Sequence, residues 1–80
     1  MADIAVNNDL DLRGVVCPDN YVRTILALEE LQTGQVLKVT LQGQEACSNV
    51  PRSVKQDGHQ IVLAERLGEG LLALYIKKVN

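Results

Sequence analysis

The spacing of hydrophobic positions changes along the 80-residue chain, and each change marks a predicted element. Residues Met1 to Asn8 carry no pattern and read as a flexible N-terminal tail, leaving 9–80 as one domain. Leu10 and Leu12 alternate with Asp9, Asp11 and Arg13, the period-two signature of a short half-buried strand that Gly14 breaks. After Val15, Val16, Cys17 and Pro18 the period lengthens. Val22, Ile25, Leu26, Leu28 and Leu31 recur at helical spacing, with Arg23, Glu29, Glu30 and Gln32 left for solvent. Pro18 suits a first helical turn, where its missing N–H costs nothing. Asp19 there complements the positive end of the helix dipole, and Gly34 fits a C-terminal stop. A helix is predicted over about 18–32, with Cys17 close to its N-cap.

Residues 36–41 (VLKVTL) are rich in β-branched side chains and read as a second strand, followed by a polar turn at Gln42, Gly43 and Gln44. Cys47, Val50 and Val54 form a helical stripe that Pro51 interrupts. A helix restarting near Pro51, capped by Asn49 and ending at Gly58, resolves that conflict. Residues 60–66 (QIVLAER) read as a third strand, Leu67 to Gly70 as a hairpin loop, and 71–79 as a fourth strand. In the last, Leu72, Leu74 and Ile76 share one face, Tyr75 and Lys77 the other, and Lys77-Lys78 reads as a solubilising strand end. The order is β-α-β-α-β-β. Strand–helix–strand units favour parallel neighbours, and a terminal hairpin adds an antiparallel pair. The expected fold is an α/β two-layer sandwich, with one mixed four-stranded sheet and both helices on one face.

Composition narrows the function. The formal net charge is −2, the eight basic residues are scattered, and two Tyr are the only aromatics. A phosphate-binding surface needs clustered cations, and base stacking needs aromatic platforms, so direct nucleic-acid binding is not expected. No apolar run approaches a membrane span, and 1–8 does not read as a signal peptide. A cytoplasmic protein with reduced thiols is the expectation. No glycine-rich phosphate loop is visible.

Candidate chemistry centres on Cys17. Unpaired N–H groups and the dipole at a helix N-terminus favour the thiolate, which is the nucleophilic form. That thiolate can attack a persulfide and accept its outer sulfur. Pro18 fixes the chain's entry into the helix, and Arg13 is placed to add positive charge. Asp19 opposes ionisation, and free cysteines are often inert buried hydrophobes, so position alone leaves both readings open. Cys47 reads as a buried structural thiol, the sharper alternative being a resolving cysteine for Cys17. His59 is a candidate base or a loop hydrogen-bonding group. These three lack the paired spacing of a zinc site, and no metal is expected. Arg52 is a candidate to hold a sulfur-bearing anion or a partner carboxylate, and equally reads as a solvated arginine.

Several segments together resemble the TusA (SirA-like, YedF) family. They are Leu10 to Gly14, Cys17-Pro18, Thr24, Ala27-Leu28, Leu31 to Gly34, Asn49 to Arg52, Gly58-His59 and Ile76 to Lys78, in family order and at compatible spacing. The resemblance implies the β-α-β-α-β-β sandwich and a sulfur relay. The cysteine matching Cys17 would take a persulfide sulfur from a donor protein, a cysteine desulfurase or a rhodanese-like protein, and pass it to an acceptor protein. It implies a sulfurtransferase-type carrier rather than a turnover enzyme, with no metal or organic cofactor. Two departures stand out. The family's Cys-Pro-x-Pro is here Cys17-Pro18-Asp19-Asn20, and its acidic, proline-containing stretch before the second helix is here Gln42 to Glu45. The first departure motivates an alternative, a non-catalytic binding or regulatory module on the same fold; a thiol–disulfide switch between Cys17 and Cys47 is a third reading.

Overall fold

In the computed structural model, residues 5–16 and 18–79 are described. The elements are β1 (Asn8–Asp11), α1 (Asp19–Glu29), β2 (Val36–Gln42), α2 (Gln44–Gln56), β3 (Gln60–Gly68) and β4 (Leu71–Lys77). They form the expected two-layer α/β sandwich. The sheet has four strands in the order β1-β2-β4-β3, with β1 parallel to β2 and the other pairs antiparallel. Alternation in β2 and β4 puts Leu37, Val39, Leu41, Leu74 and Ile76 on the face that meets the helices, where all are fully buried. Leu28 of α1 and Ala46, Val50 and Val54 of α2 complete the same core. Pairing begins at Asn8, and Asn7 adds two bonds to Val36, one through its side chain. The first four residues of the expected tail lie outside the described residues.

The second helix differs from the sequence expectation. It runs unbroken through Pro51 and starts at Gln44, not near Pro51. An interior proline costs about 3 kcal/mol, through a lost N–H and a clash with the preceding turn. The roughly two turns before Pro51 bury Val50 at 1% exposure and Ala46 at 6%, with part of Cys47. Full burial of one valine contributes about 1.5–3 kcal/mol, and each further CH₂ about 0.8. Packing therefore offsets the local penalty, and Asn49 becomes a helix-interior residue instead of a cap.

The buried face of α1 also differs. Asn20, Thr24, Ala27 and Leu28 face the sheet, while Val22 and Leu26 are 46% and 56% exposed. The polar members cost little because Thr24 Oγ1 donates to Asn20 O at 2.8 Å. The small Thr24 and Ala27 then occupy the contact face, which turns Val22 about 120° away from Leu28 round the helix.

Lys78 is more than a solubilising end. Its Nζ donates to the carbonyls of Leu31 at 2.7 Å and Glu29 at 3.2 Å. The last turn of α1 has no basic residue of its own, so the chain's C-terminal end supplies the cation that its carbonyls favour. Lys78→Met should lower stability by about 1–2 kcal/mol, because a charge-assisted contact is lost while the stem packing stays. Urea unfolding checks this, with Lys77→Met, at an exposed site, as the near-neutral comparison.

Gly43 joins β2 to α2 at φ 97° and ψ 146°, a backbone region that is nearly restricted to glycine. A Cβ there would meet nothing within 4 Å, so the constraint is torsional, not steric crowding by neighbours. Its N–H donates to Gly70 O at 2.8 Å, pinning the start of α2 to the β3–β4 turn. Gly43→Ala should destabilise by about 1–3 kcal/mol, measured as a lower thermal midpoint.

Candidate functional site

Cys17, the central sequence-predicted residue, lies outside the described residues. The segments on either side of it are described. Leu12, at 1% exposure, plugs the core and donates its N–H to Thr40 O at 2.9 Å. Its carbonyl accepts from Val15 N–H at 3.1 Å, closing a tight turn in which Gly14 takes φ 81°, a conformation open to glycine without a Cβ penalty. Val15 packs partly against the core, and Val16 is 71% exposed. The chain thus climbs from the core to the surface over the residues that lead into Cys17.

Beyond it, Pro18 is the N-cap of α1, with φ −91°. The helical bonds start here: Asn20 N–H donates to Val16 O at 3.1 Å, and Val22 N–H to Pro18 O at 3.0 Å. Pro18 lacks a side-chain oxygen, and no side chain caps this end. Asn20 instead satisfies one early donor, its Oδ1 accepting from Tyr21 N–H at 2.7 Å.

Because β1 and β2 run parallel, the chain leaves both at the same edge of the sheet, and α1 and α2 both start there. A groove of about 370 Å³ lies between these starts, lined by Val15, Val16 and Asn20 on one side and residues 42–46 on the other. The N-cap of α2 is Gly43, which has no side chain to cap with. Among the described residues, the N–H groups of Gln44, Glu45 and Ala46 have no acceptor, as the first turn of a helix requires unless something caps it. Sequence reasoning missed Asn20 and this turn as site elements. Asn20 was noticed only as an absent proline, and the unbroken start of α2 was hidden by Pro51.

The supporting arginines are not gathered at this groove. Arg13 makes a bidentate pair with Asp11, Nε to Oδ1 at 3.0 Å and Nη2 to Oδ2 at 2.8 Å, and lines a separate groove with Asp9, Thr40 and Leu67. The hydrogen bonds from Arg13 hold the Asp11 carboxyl down to about 2, and Asp11 in turn raises the guanidinium. Its charge is therefore answered within the strand end. Arg52 is exposed on α2, eight residues after Gln44, about 12 Å along the helix axis. Among the described residues it makes no ion pair.

Cys47 is half-buried beside Arg66, Glu69 and Gly70 in another groove, its Sγ 3.8 Å from Gly70 O and 3.9 Å from Leu41 O. Burial pushes its thiol up, with Arg66 opposing in part. At neutral pH it stays protonated and is a poor nucleophile. His59 Nδ1 accepts a long contact from Val79 N–H, and the ring lines a third groove with Tyr21, Asp57 and Lys78, where Tyr21 OH donates to Asp57 Oδ2. That hydrogen bond to the Asp57 carboxylate, with burial a smaller cause, raises the Tyr21 phenol. Among the described residues no group of three His, Cys, Asp or Glu side chains is placed to hold a metal, and no helix is long and apolar enough to cross a membrane.

A family model described as Sulfurtransferase TusA matches residues 8–78, a span that includes β1, the Cys17-Pro18 pair and all later elements. The chain belongs to the TusA family. This TusA-family chain is 43% identical over 75 residues to a proposed sulfur carrier protein of Archaeoglobus fulgidus, covering 94% of this chain and 85% of the relative. It is 35% identical over 77 residues to one of Thermotoga maritima, covering 96% and 98%. A crystal structure of a SirA-like protein from Desulfitobacterium hafniense superposes with a TM-score of 0.77 at 24% identity, covering 91% of this chain and 99% of that one. This last likeness bears on the fold, and it agrees with the sandwich described above. TusA-family proteins work between sulfur-donating and sulfur-accepting proteins, so the sequence expectation of protein partners stands in that general form.

Proposed function

We propose that this TusA-family protein is a sulfur carrier that accepts a persulfide sulfur on Cys17 and hands it to a partner protein by direct contact. The observation that carries the reading is the family match over residues 8–78, which contains Cys17 and Pro18. The described surroundings support it. Val16 is exposed, Pro18 stands at the N-cap position of α1 with no side-chain cap, and the uncapped first turn of α2 lines the same groove as Val16.

In loading, the Cys17 thiolate attacks the outer sulfur of a donor persulfide. The donor's S–S bond breaks, its cysteine leaves as a thiolate, and a new S–S bond forms on Cys17. Delivery repeats this with an acceptor nucleophile attacking the outer sulfur and the Cys17 thiolate leaving. Neither step consumes an external oxidant or reductant. The donor is a cysteine desulfurase or a rhodanese-like protein, and the relay runs in the cytoplasm on one domain over 9–80. Pro18 orients the turn; Arg13 and Arg52 serve in partner docking rather than at the sulfur.

The experiment is a transfer assay with the partner pulled down in parallel. Wild-type protein should acquire sulfur from a desulfurase supplied with cysteine and lose it to an acceptor thiol. If Cys17→Ser bound partners as well as wild type and neither form carried persulfide in cells, the protein would be a binding module instead.

A further inference from the structure

The eight basic residues are scattered in sequence, but the fold gathers three of them. In α2, Ser48, Arg52 and Lys55 project within about 60° of one another round the helix, along about 10 Å of its axis. All three are exposed. Arg66 of β3 pairs with Leu72 of β4, which packs against the core. Cross-strand partners point to one face, so Arg66 stands on the helix side of the sheet. Ser48 and Arg66 line one groove of about 550 Å³, and Ser48 thus joins Arg66 to the α2 stripe. These cations are unanswered. Among the described residues none of the three makes an ion pair, whereas Arg13 is paired with Asp11 and Lys78 is held by the carbonyls of Glu29 and Leu31. No carboxylate occurs in α2 after Glu45. Asp57, at its end, accepts from Tyr21 OH, and Glu65 pairs with Ala73 on the opposite face from Arg66. Glu69 is the acid that shares the groove with Arg66. Gln44 lines both this groove and the one beside Val16, so the two grooves adjoin. A protein interface of standard size buries about 800 Å² on each partner, enough to span both.

We propose that the surface formed by Arg52, Lys55 and Arg66 docks the sulfur-donating protein, which meets it with a cluster of carboxylates. The proposal rests on the carrier reading above and extends the docking role of Arg52 to a surface built from α2 and β3. A chain of net charge −2 repels an acidic partner as a whole, so a local run of cations sets which face it turns to that partner. Charges at an interface act on the rate and orientation of encounter more than on the strength of the complex. That suits a carrier, which must leave its donor after loading. Both tyrosines lie elsewhere, Tyr21 against Asp57 and Tyr75 beside Lys38. With no aromatic platform to stack on bases, the surface fits a protein rather than a nucleic acid.

The test compares Arg52→Gln/Arg66→Gln with Lys38→Gln/Lys77→Gln, which removes the same net charge from other surfaces. Initial rates of sulfur loading are measured at low ionic strength with two donors. One is a cysteine desulfurase supplied with cysteine; the other is polysulfide, which needs no docking. The arginine variant should load about tenfold more slowly than wild type from the desulfurase, with the gap closing in about 0.5 M salt, and at the wild-type rate from polysulfide. The lysine variant should stay within about twofold of wild type with both donors. Equal slowing of the two variants, or none in the arginine variant, would overturn the docking surface and leave the carrier role standing. Slowing of the arginine variant with polysulfide as well would overturn it too, because damage away from docking would then explain the loss. A wild type that loads from polysulfide but not from the desulfurase overturns the donor assignment, and loading from neither removes the carrier reading and this inference together. Loss of a labelled RNA hairpin by the arginine variant, with desulfurase loading unchanged, would make the surface a nucleic-acid site instead.

Discussion

Leu12→Ala should cost about 3 kcal/mol, within the range of 2–5 for a fully buried leucine cut to alanine. Leu12 is 1% exposed, sits in the core cluster, and is held at both backbone groups, by Thr40 and by Val15. The cavity cannot collapse easily, because the tight turn at Gly14 and the pairing of β1 with β2 fix the chain on either side. An 80-residue domain has roughly 4–12 kcal/mol in total, so this single truncation removes a large share. The urea midpoint should fall by roughly 2 M with an unchanged slope. The same truncation loosens the anchor of the turn that leads into Cys17. It should therefore slow sulfur loading under conditions where the variant is still folded. A midpoint within experimental error of wild type would show that Leu12 is not the anchor described here.

Cys17→Ser should reduce sulfur loading to background, whereas Cys47→Ser should leave it within about twofold of wild type. The asymmetry follows from the surroundings of each thiol. Burial raises the Cys47 thiol, and its sulfur rests against the carbonyls of Leu41 and Gly70. Both features favour the protonated form. The described neighbours of Cys17 in sequence are an exposed Val16 and Pro18 at the N-cap of α1, an end that no side chain caps, and the dipole and N–H groups of a helix start favour an anion. Iodoacetamide labelling, read by peptide mass, should mark Cys17 well before Cys47 near neutral pH. Equal labelling would mean that the two environments are not distinguished as argued. Peptide mapping after mild oxidation should also show no Cys17–Cys47 crosslink, since a raised Cys47 thiol is a poor partner for exchange.

The fold was legible where hydrophobic period alone decides structure. The alternation of Leu37, Val39 and Leu41, and of Leu72, Leu74 and Ile76, marks two central strands because one face of each must meet the helices. Local rules misled where packing overrode them. Pro51 signals a break, yet the burial of Val50 and Ala46 carries α2 through it. Val22 and Leu26 look like core positions, yet Thr24 and Asn20 take that face because nearby backbone groups satisfy them. Lys78 reads as a surface charge because its partners, the carbonyls of Glu29 and Leu31, lie far away in sequence. For the site, the helix start at Pro18 was readable from proline placement. The opposing turn of α2 was not, since it comes beside Val16 and Asn20 only through the parallel pairing of β1 and β2.

The carrier role is tested most directly by intact mass spectrometry of the wild-type protein and Cys17→Ser after incubation with a cysteine desulfurase and cysteine. The account predicts a wild-type species heavier by one sulfur atom, removed by a thiol reductant, and no such species in Cys17→Ser. Equal sulfur addition to both proteins, or none to either, would contradict it.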